Sequence, residues 1–256
     1  GHTVEAVLGE AAGLPGLPIE IIPLYFELDG TFPNHEANPL VPENLRDLTR
    51  EVLRQGADLG LAFDGDADRC FVVDERGMPV SPSTVAAIVA QQEVARARAA
   101  GESAVTVLYG HLASRRLTET IMASGATASK TKVGHSLIKA QMLAQNAVFG
   151  AEHSAHYYFR DFWFADSGIL AAMHFIAALG HTSKTASELV AEFAPYPSSG
   201  EINLKVADAP AALERALNHF SARAVVDRFD GLTFGSSSEA IERTGSVGSL
   251  EPEWWW

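Results

Sequence analysis

Leu59-Gly60-Leu61-Ala62-Phe63-Asp64-Gly65-Asp66-Ala67-Asp68-Arg69 begins as an apolar run of strand length and ends in three carboxylates at alternate positions, with an arginine directly behind them. A second apolar run, Cys70 to Val73, follows at once, so the spacing predicts a strand–loop–strand frame. Gly65 and Ala67 keep the intervening positions small, which lets the backbone curl and aim the carboxylates at one point. Three converging negative groups repel one another unless a hard cation sits between them. Oxygen-only ligation suits Mg²⁺, Mn²⁺ or Ca²⁺ better than Zn²⁺, which favours nitrogen and sulfur. The competing reading is an acidic turn between two strands, with no ion.

Working outward, Ile19 to Phe26 reads as a buried strand, followed by a loop to Pro39. Pro42 at a first turn, with Leu45, Leu48, Val52 and Leu53 at helical spacing, predicts a helix ending near Gly56. With a strand at Ala57 to Phe63, this makes a β–loop–α–β unit and implies parallel pairing. After the strand Cys70 to Asp74, the rhythm becomes strictly alternating. Helices are expected from about Thr84 to Ala99, Ser114 to Ser124, Ser136 to Gln145, Ser167 to Leu179 and Ser183 to Phe193. Strands are expected at Ala104 to Leu108, Ala126 to Thr131 and Ala147 to Phe149. That alternation means a doubly wound α/β architecture.

Ala194 to Gly200 reads as a linker, followed by a strand at Ile202 to Val206, a helix from Pro210 to Arg223 and a hairpin around Asp230-Gly231. Gly235 to Leu250 has little periodicity, and Trp254-Trp255-Trp256 reads as the opening of a strand that continues beyond the chain. The expected fold class is therefore α/β: two successive three-layer α/β/α domains with mixed sheets, over residues 1–79 and 80–195, plus a partial α+β domain over residues 196–256.

Net charge of −13 argues against a nucleic-acid partner, which needs a basic face. Cys70 is the single cysteine, so no intrachain disulfide is possible, and a reducing, cytoplasmic compartment is expected. The longest apolar stretch, Ile169 to Leu179, is too short to span a bilayer, so no membrane partner is expected.

Two further clusters carry chemistry. Glu152, Ser154 and His156 alternate in a loop directly after a strand, where α/β domains place ligands. A carboxylate and a hydroxyl at that spacing can clamp adjacent sugar hydroxyls, and an imidazole can meet a phosphate or move a proton. His153 reads as a bystander. Thr131-Lys132-Val133-Gly134-His135-Ser136 opens a helix, and a helix N-terminus beside Lys132 and His135 suits an anion. Two rival readings of the acidic loop remain. As an EF-hand it would use Asp64, Asp66, Asp68 and Glu75, but it has Arg69 where a glycine is required and strands in place of helices. As a haloacid dehalogenase-type phosphatase it would use Asp64 as nucleophile and Asp66 as acid/base, with Asp68 departing from that motif.

Taken together, the acidic loop, the Lys-x-Gly-His helix start and the Glu-x-Ser-x-His loop resemble the α-D-phosphohexomutases in order and spacing. The loop Phe32-Pro33-Asn34-His35-Glu36-Ala37-Asn38-Pro39 is similar to part of that family's second domain. The resemblance implies that Asp64, Asp66 and Asp68 bind Mg²⁺ and that Arg69 and His156 serve catalysis. It implies that Lys132, Gly134, His135, Glu152, Ser154 and His156 line the substrate cleft. It further implies an intramolecular phosphotransferase, moving a phosphoryl group between the 1- and 6-hydroxyls of mannose or glucose phosphates through a phosphoserine and a bisphosphate. The family's phosphoserine lies in a Thr-Ala-Ser-His-Asn-Pro loop. Thr127-Ala128-Ser129-Lys130 imitates only its first three residues, inside the later α/β unit, and is not taken as the nucleophile. The expectation is thus the second and third domains plus part of a fourth, inactive alone, whose partners are the N-terminal and C-terminal domains of the same protein. The alternative is a Mg²⁺-dependent phosphosugar-binding module without catalysis.

Overall fold

The computed structural model describes residues 2–8, 18–193, 196–197, 202 and 204–235. The interval 9–17, most of the expected linker and residues 236–256, with the terminal tryptophans, lie outside the described residues.

Helix α1 (His2–Leu8) comes first, and a 3₁₀ turn at Pro42–Leu45 leads into α2 (Arg46–Gln55). Gly56 ends α2 in the left-handed region, φ 64°, where a Cβ would be strained. Strands β1 (Leu59–Phe63) and β2 (Cys70–Asp74) form an antiparallel hairpin, with Leu59 opposite Asp74 and Phe63 opposite Cys70. The acidic stretch is therefore the hairpin's connection. The expected strand at Ile19 to Phe26 does not form, and with it the expected parallel pairing disappears. Pro23 offers no N–H to a ladder and Tyr25 sits at φ 56°, so the segment cannot pair along its length. Its apolar side chains Ile19, Ile21 and Phe26 are buried in part against Val4, Leu8 and Ile169 instead.

Helix α3 (Pro82–Ala99) opens the alternating region, which continues through β3 (Thr106–Gly110), α4 (Arg115–Ala123), β4 (Thr127–Thr131), α5 (His135–Gln145), β5 (Phe149–Ala151), β6 (Tyr157–Phe159), β7 (Ala165–Asp166), α6 (Gly168–Gly180) and α7 (Ala186–Ala191). Five of its strands form one sheet in the order β4-β3-β5-β6-β7. The first three are parallel and the last two antiparallel additions, so the sheet is mixed as expected. Strands β6 and β7 escaped the sequence reading because three- and two-residue strands are too short to show periodicity.

Alternation along the strands builds the layers. Val107, Phe149, Tyr157 and Phe159 face one core with α3, α4 and α6, whereas Leu108 and Tyr158 face Ile138 and Met142 of α5. The hairpin joins the larger core through Cys70, Phe71 and Val72. Helix α3 is buried almost all round, including Glu93, whose carboxylate takes two hydrogen bonds from Arg96 and lies 3.2 Å from His174 Nε2. Such pairing is what lets a charge sit in a core.

After Pro197 come α8 (Ala209–Phe220) and the hairpin of β8 (Val225–Asp227) and β9 (Thr233–Gly235), as the turn at Asp230-Gly231 predicts. Residues 202 and 204–206 carry no strand, contrary to expectation; Ile202, Leu204 and Val206 are exposed, and no strand pairs with them among the described residues. Among the described residues no helix is long and apolar enough to cross a membrane.

Candidate functional site

The β1–β2 connection places Asp64, Asp66 and Asp68 so that one carboxylate oxygen from each lies within 4.8 Å of the others. Two local features permit it. Ala67 adopts φ 60°, a conformation tolerable for a small side chain, and Ala67 N–H closes a turn on Asp64 O at 3.2 Å. A Cβ on Gly65 would meet Phe32 Cζ at 3.7 Å, so the 32–39 loop packs directly over the acidic turn. Arg69 donates to Asp64 twice, backbone N–H to Oδ1 at 3.2 Å and Nε to Oδ2 at 2.7 Å.

Burial alone would raise Asp64, but these Arg69 bonds hold its carboxyl below the ordinary range. Asp68 goes the other way, pushed up to about 6 by burial and by the neighbouring Asp64. One of its oxygens, Oδ1, is buried without a hydrogen-bond partner. An orphaned carboxylate oxygen beside two others is the donor set of a hard-cation seat, so the residues present fit a divalent ion. The EF-hand reading fails here. Glu75, its required twelfth ligand, instead accepts from Ser187 N–H at 2.9 Å and Ser187 Oγ at 2.5 Å.

The fold brings the other two clusters to this seat. Arg69 and His156 form an isolated antiparallel bridge, which ties the end of the acidic loop to the Glu152–His156 loop. His156 Nε2 lies 3.5 Å from Asp68 Oδ2 and 3.1 Å from His135 Nε2, while its Nδ1 meets Ser154 Oγ at 2.8 Å. Burial, then the charge of His135, draw the His156 imidazole below its ordinary value. Glu152 is buried; Oε1 accepts Gly134 N–H at 3.2 Å and Oε2 accepts the Tyr158 hydroxyl at 2.7 Å. That bond locks the Glu-x-Ser-x-His loop to the start of α5, whose first residue is His135.

Lys132 lies at the edge of this group, its Nζ 5.9 Å from the Phe229 ring on the C-terminal hairpin. From the same hairpin Asp230 Oδ2 accepts Val133 N–H at 2.9 Å and stands 3.6 Å from His111 Nδ1. The bystander His153 turns away, pairing with Ser83 Oγ at 3.0 Å. Ser129, in β4, accepts from Gln141 at 3.2 Å.

Three site residues escaped the sequence reading. Tyr158 continues the alternation of Ser154 and His156, which could have flagged it. Asp166 and Lys139, joined at 2.8 Å, carried no signal, because only the fold brings β7 and the second turn of α5 beside His135.

Residues 1–77 match the family model for the phosphoglucomutase/phosphomannomutase alpha/beta/alpha domain II, and residues 81–196 match that for domain III. The phosphomannomutase of Escherichia coli K12 is 37% identical over 235 residues, covering 91% of this chain and 50% of that protein. The phosphomannomutase/phosphoglucomutase of Pseudomonas putida is 39% identical over 196 residues, covering 76% and 41% respectively. A crystal structure of a phosphoglucomutase/phosphomannomutase family protein from Burkholderia thailandensis superposes with a TM-score of 0.72 at 27% identity, covering 86% of this chain and 48% of that one. The chain spans about half the length of the curated relatives it matches. Two successive domain matches, a mixed α/β/α sheet and the convergence of the acidic turn with the Glu152 and His135 loops agree: the chain belongs to the phosphoglucomutase/phosphomannomutase family, the α-D-phosphohexomutases.

Proposed function

We propose that this chain carries the metal seat and the sugar-facing wall of a phosphohexomutase that interconverts hexose 1- and 6-phosphates of mannose or glucose. Residues 1–79 would form the unit that bears the metal loop, 80–195 the unit that bears the sugar loop, and 196–256 part of a third. The observation that carries the proposal is the meeting of the Asp64/Asp66/Asp68 turn with His135, Glu152, Ser154 and His156 across the Arg69–His156 bridge.

In this reading Asp64, Asp66 and Asp68 hold Mg²⁺. The bound ion supplies charge neutralisation at a phosphoryl group, the main demand of such transfers. Arg69, fixed on Asp64, keeps the acidic turn in shape and adds a positive charge beside it. His156, its imidazole favoured neutral, accepts or returns a proton at Nε2 as a sugar hydroxyl gains or loses a phosphoryl group. Glu152 and Ser154 present oxygens to sugar hydroxyls; Tyr158 and Gly134 N–H hold the Glu152 carboxylate in place. Lys132 and His135 supply positive charge for a substrate phosphate, with His135 at the N-terminus of α5.

Thr-Ala-Ser-His-Asn-Pro does not occur in the 256 residues, so the phosphoryl carrier implied by the family is not among them. Isothermal titration of the purified chain with glucose 1,6-bisphosphate and Mg²⁺ is expected to give binding that Glu152→Ala weakens. The same chain is expected to leave glucose 1-phosphate unconverted. No binding at millimolar sugar phosphate would overturn the proposed site, and turnover would overturn the missing carrier.

A further inference from the structure

Beside the three-carboxylate turn lies a second group of donors with a different chemistry. Asp68, His135, His156 and Asp166 each place one ligand atom within 4.8 Å of the other three. Two of these donors are imidazole nitrogens and two are carboxylate oxygens.

Zinc–nitrogen and zinc–oxygen bonds of about 2.0–2.1 Å in a tetrahedron require ligand atoms about 3.3 Å apart. His135 Nε2 and His156 Nε2 are 3.1 Å apart, and His156 Nε2 and Asp68 Oδ2 are 3.5 Å apart. Both separations bracket the tetrahedral edge. Two facing ring nitrogens can share a single proton between them, or both can offer a lone pair to a metal. The second arrangement has support on the far side of His156. Ser154 Oγ, 2.8 Å from Nδ1, can accept a proton held there, which leaves Nε2 free to ligate.

Asp166 supplies an independent pointer. Its side chain is 7% exposed, and Oδ2 is buried 3.2 Å from His135 Nδ1, the ring nitrogen opposite Nε2, so Asp166 backs the imidazole and leaves Nε2 to face His156 and a metal. Lys139 engages only the other oxygen, Oδ1, at 2.8 Å. Around the group five carboxylates (Asp64, Asp66, Asp68, Glu152, Asp166) face two cationic side chains (Arg69, Lys139), which leaves a surplus of negative charge suited to a divalent cation.

We propose that Asp68, His135 and His156, with Asp166 orienting the His135 ring from behind, form a second cation site, selective for a four-coordinate transition metal of the zinc or cobalt class and sharing Asp68 with the carboxylate turn. Imidazole ligands favour such ions over Mg²⁺, which demands oxygen ligands in an octahedron. Occupancy takes both imidazoles away from any other partner, so the site would let a transition metal block the cleft.

The site does not rest on the hexose-phosphate reading. Loss of sugar-phosphate binding with intact metal binding sinks that reading alone. The test titrates the purified chain with Co²⁺ in saturating Mg²⁺ and follows the visible absorption of four-coordinate Co²⁺. A single equivalent is expected to bind despite the Mg²⁺. His135→Ala and Asp166→Asn are each expected to weaken Co²⁺ by about tenfold or more, whereas Asp66→Asn is expected to retain the Co²⁺ absorption band. Circular dichroism checks that each variant is folded; His135→Gln replaces His135→Ala if that variant is not. Absence of the absorption band overturns the site. So does Co²⁺ binding that survives in His135→Ala but is lost in Asp66→Asn, because the ion would then occupy only the carboxylate turn.

Discussion

Asp68 is where the residue scale is most exposed to experiment. Burial and the neighbouring Asp64 push its carboxyl up to about 6, against an ordinary 3.8, so the folded metal-free chain holds that proton more tightly than the unfolded chain does. The corresponding stability is full below about pH 4 and is lost as pH rises through about 6. In EDTA the melting temperature of the native chain, measured against Asp68→Asn, is expected to fall over that window. Adding Mg²⁺ at neutral pH should restore it in the native chain and do little for Asp68→Asn. A flat difference between the two proteins across the window would refute the account. Tyr158 offers a second handle. Its hydroxyl serves the buried Glu152 carboxylate, so Tyr158→Phe is expected to cost about 1.5–3 kcal/mol in urea unfolding. Cys70 is fully buried and burial pushes its thiol up, so it should resist a thiol reagent until the chain unfolds.

Among the elements, the N-terminus of α6 decides how closely the two units approach. A Cβ on Gly168 would stand 2.5 Å from Arg69 O and 2.9 Å from Ala67 O, both rigid backbone atoms. Gly168→Ala must therefore push α6 away from the acidic turn. The expected result is a loss of about 1–3 kcal/mol together with weaker Mg²⁺ binding, read by calorimetry on the same samples. Unchanged Mg²⁺ affinity in a destabilised Gly168→Ala would mean that α6 supports the core but not the turn. Pairing β1 with β2 rather than with the 19–26 segment follows from the same economy of backbone partners. Two five-residue strands joined by the short acidic connection close their ladder locally, and Pro23 removes the competitor.

For the whole molecule, the C-terminal hairpin is held against the Lys132 loop by a few polar contacts. Asp227 pairs with Lys130, Asp230 takes Val133 N–H, and Phe229 lies under Lys130 and Lys132. Contacts between charged, partly exposed groups are weak and screened by salt. Asp230→Ala is thus expected to speed amide hydrogen exchange across residues 225–235 while exchange in β3 and β5 stays as it was. Protection unchanged in both regions would show that the hairpin is held by its own fold.

Sequence by itself determined the α/β alternation, the helices from 82 to 180 within a residue or two, and the acidic turn, because each rests on local periodicity or on residues adjacent in the chain. It also supplied the Glu152–His156 and Lys132–His135 clusters, whose donors are close in sequence. Only the tertiary structure decided that these three clusters share one wall, since the Arg69–His156 bridge joins residues far apart in the chain. It alone added Asp166 and Lys139 beside His135, and it alone turned Ile19–Phe26 from a strand into a coil. The physical reason is common to all three. Propensity and patterning report what a segment can bury, whereas pairing and ligation depend on which partners the packed sheet brings within reach.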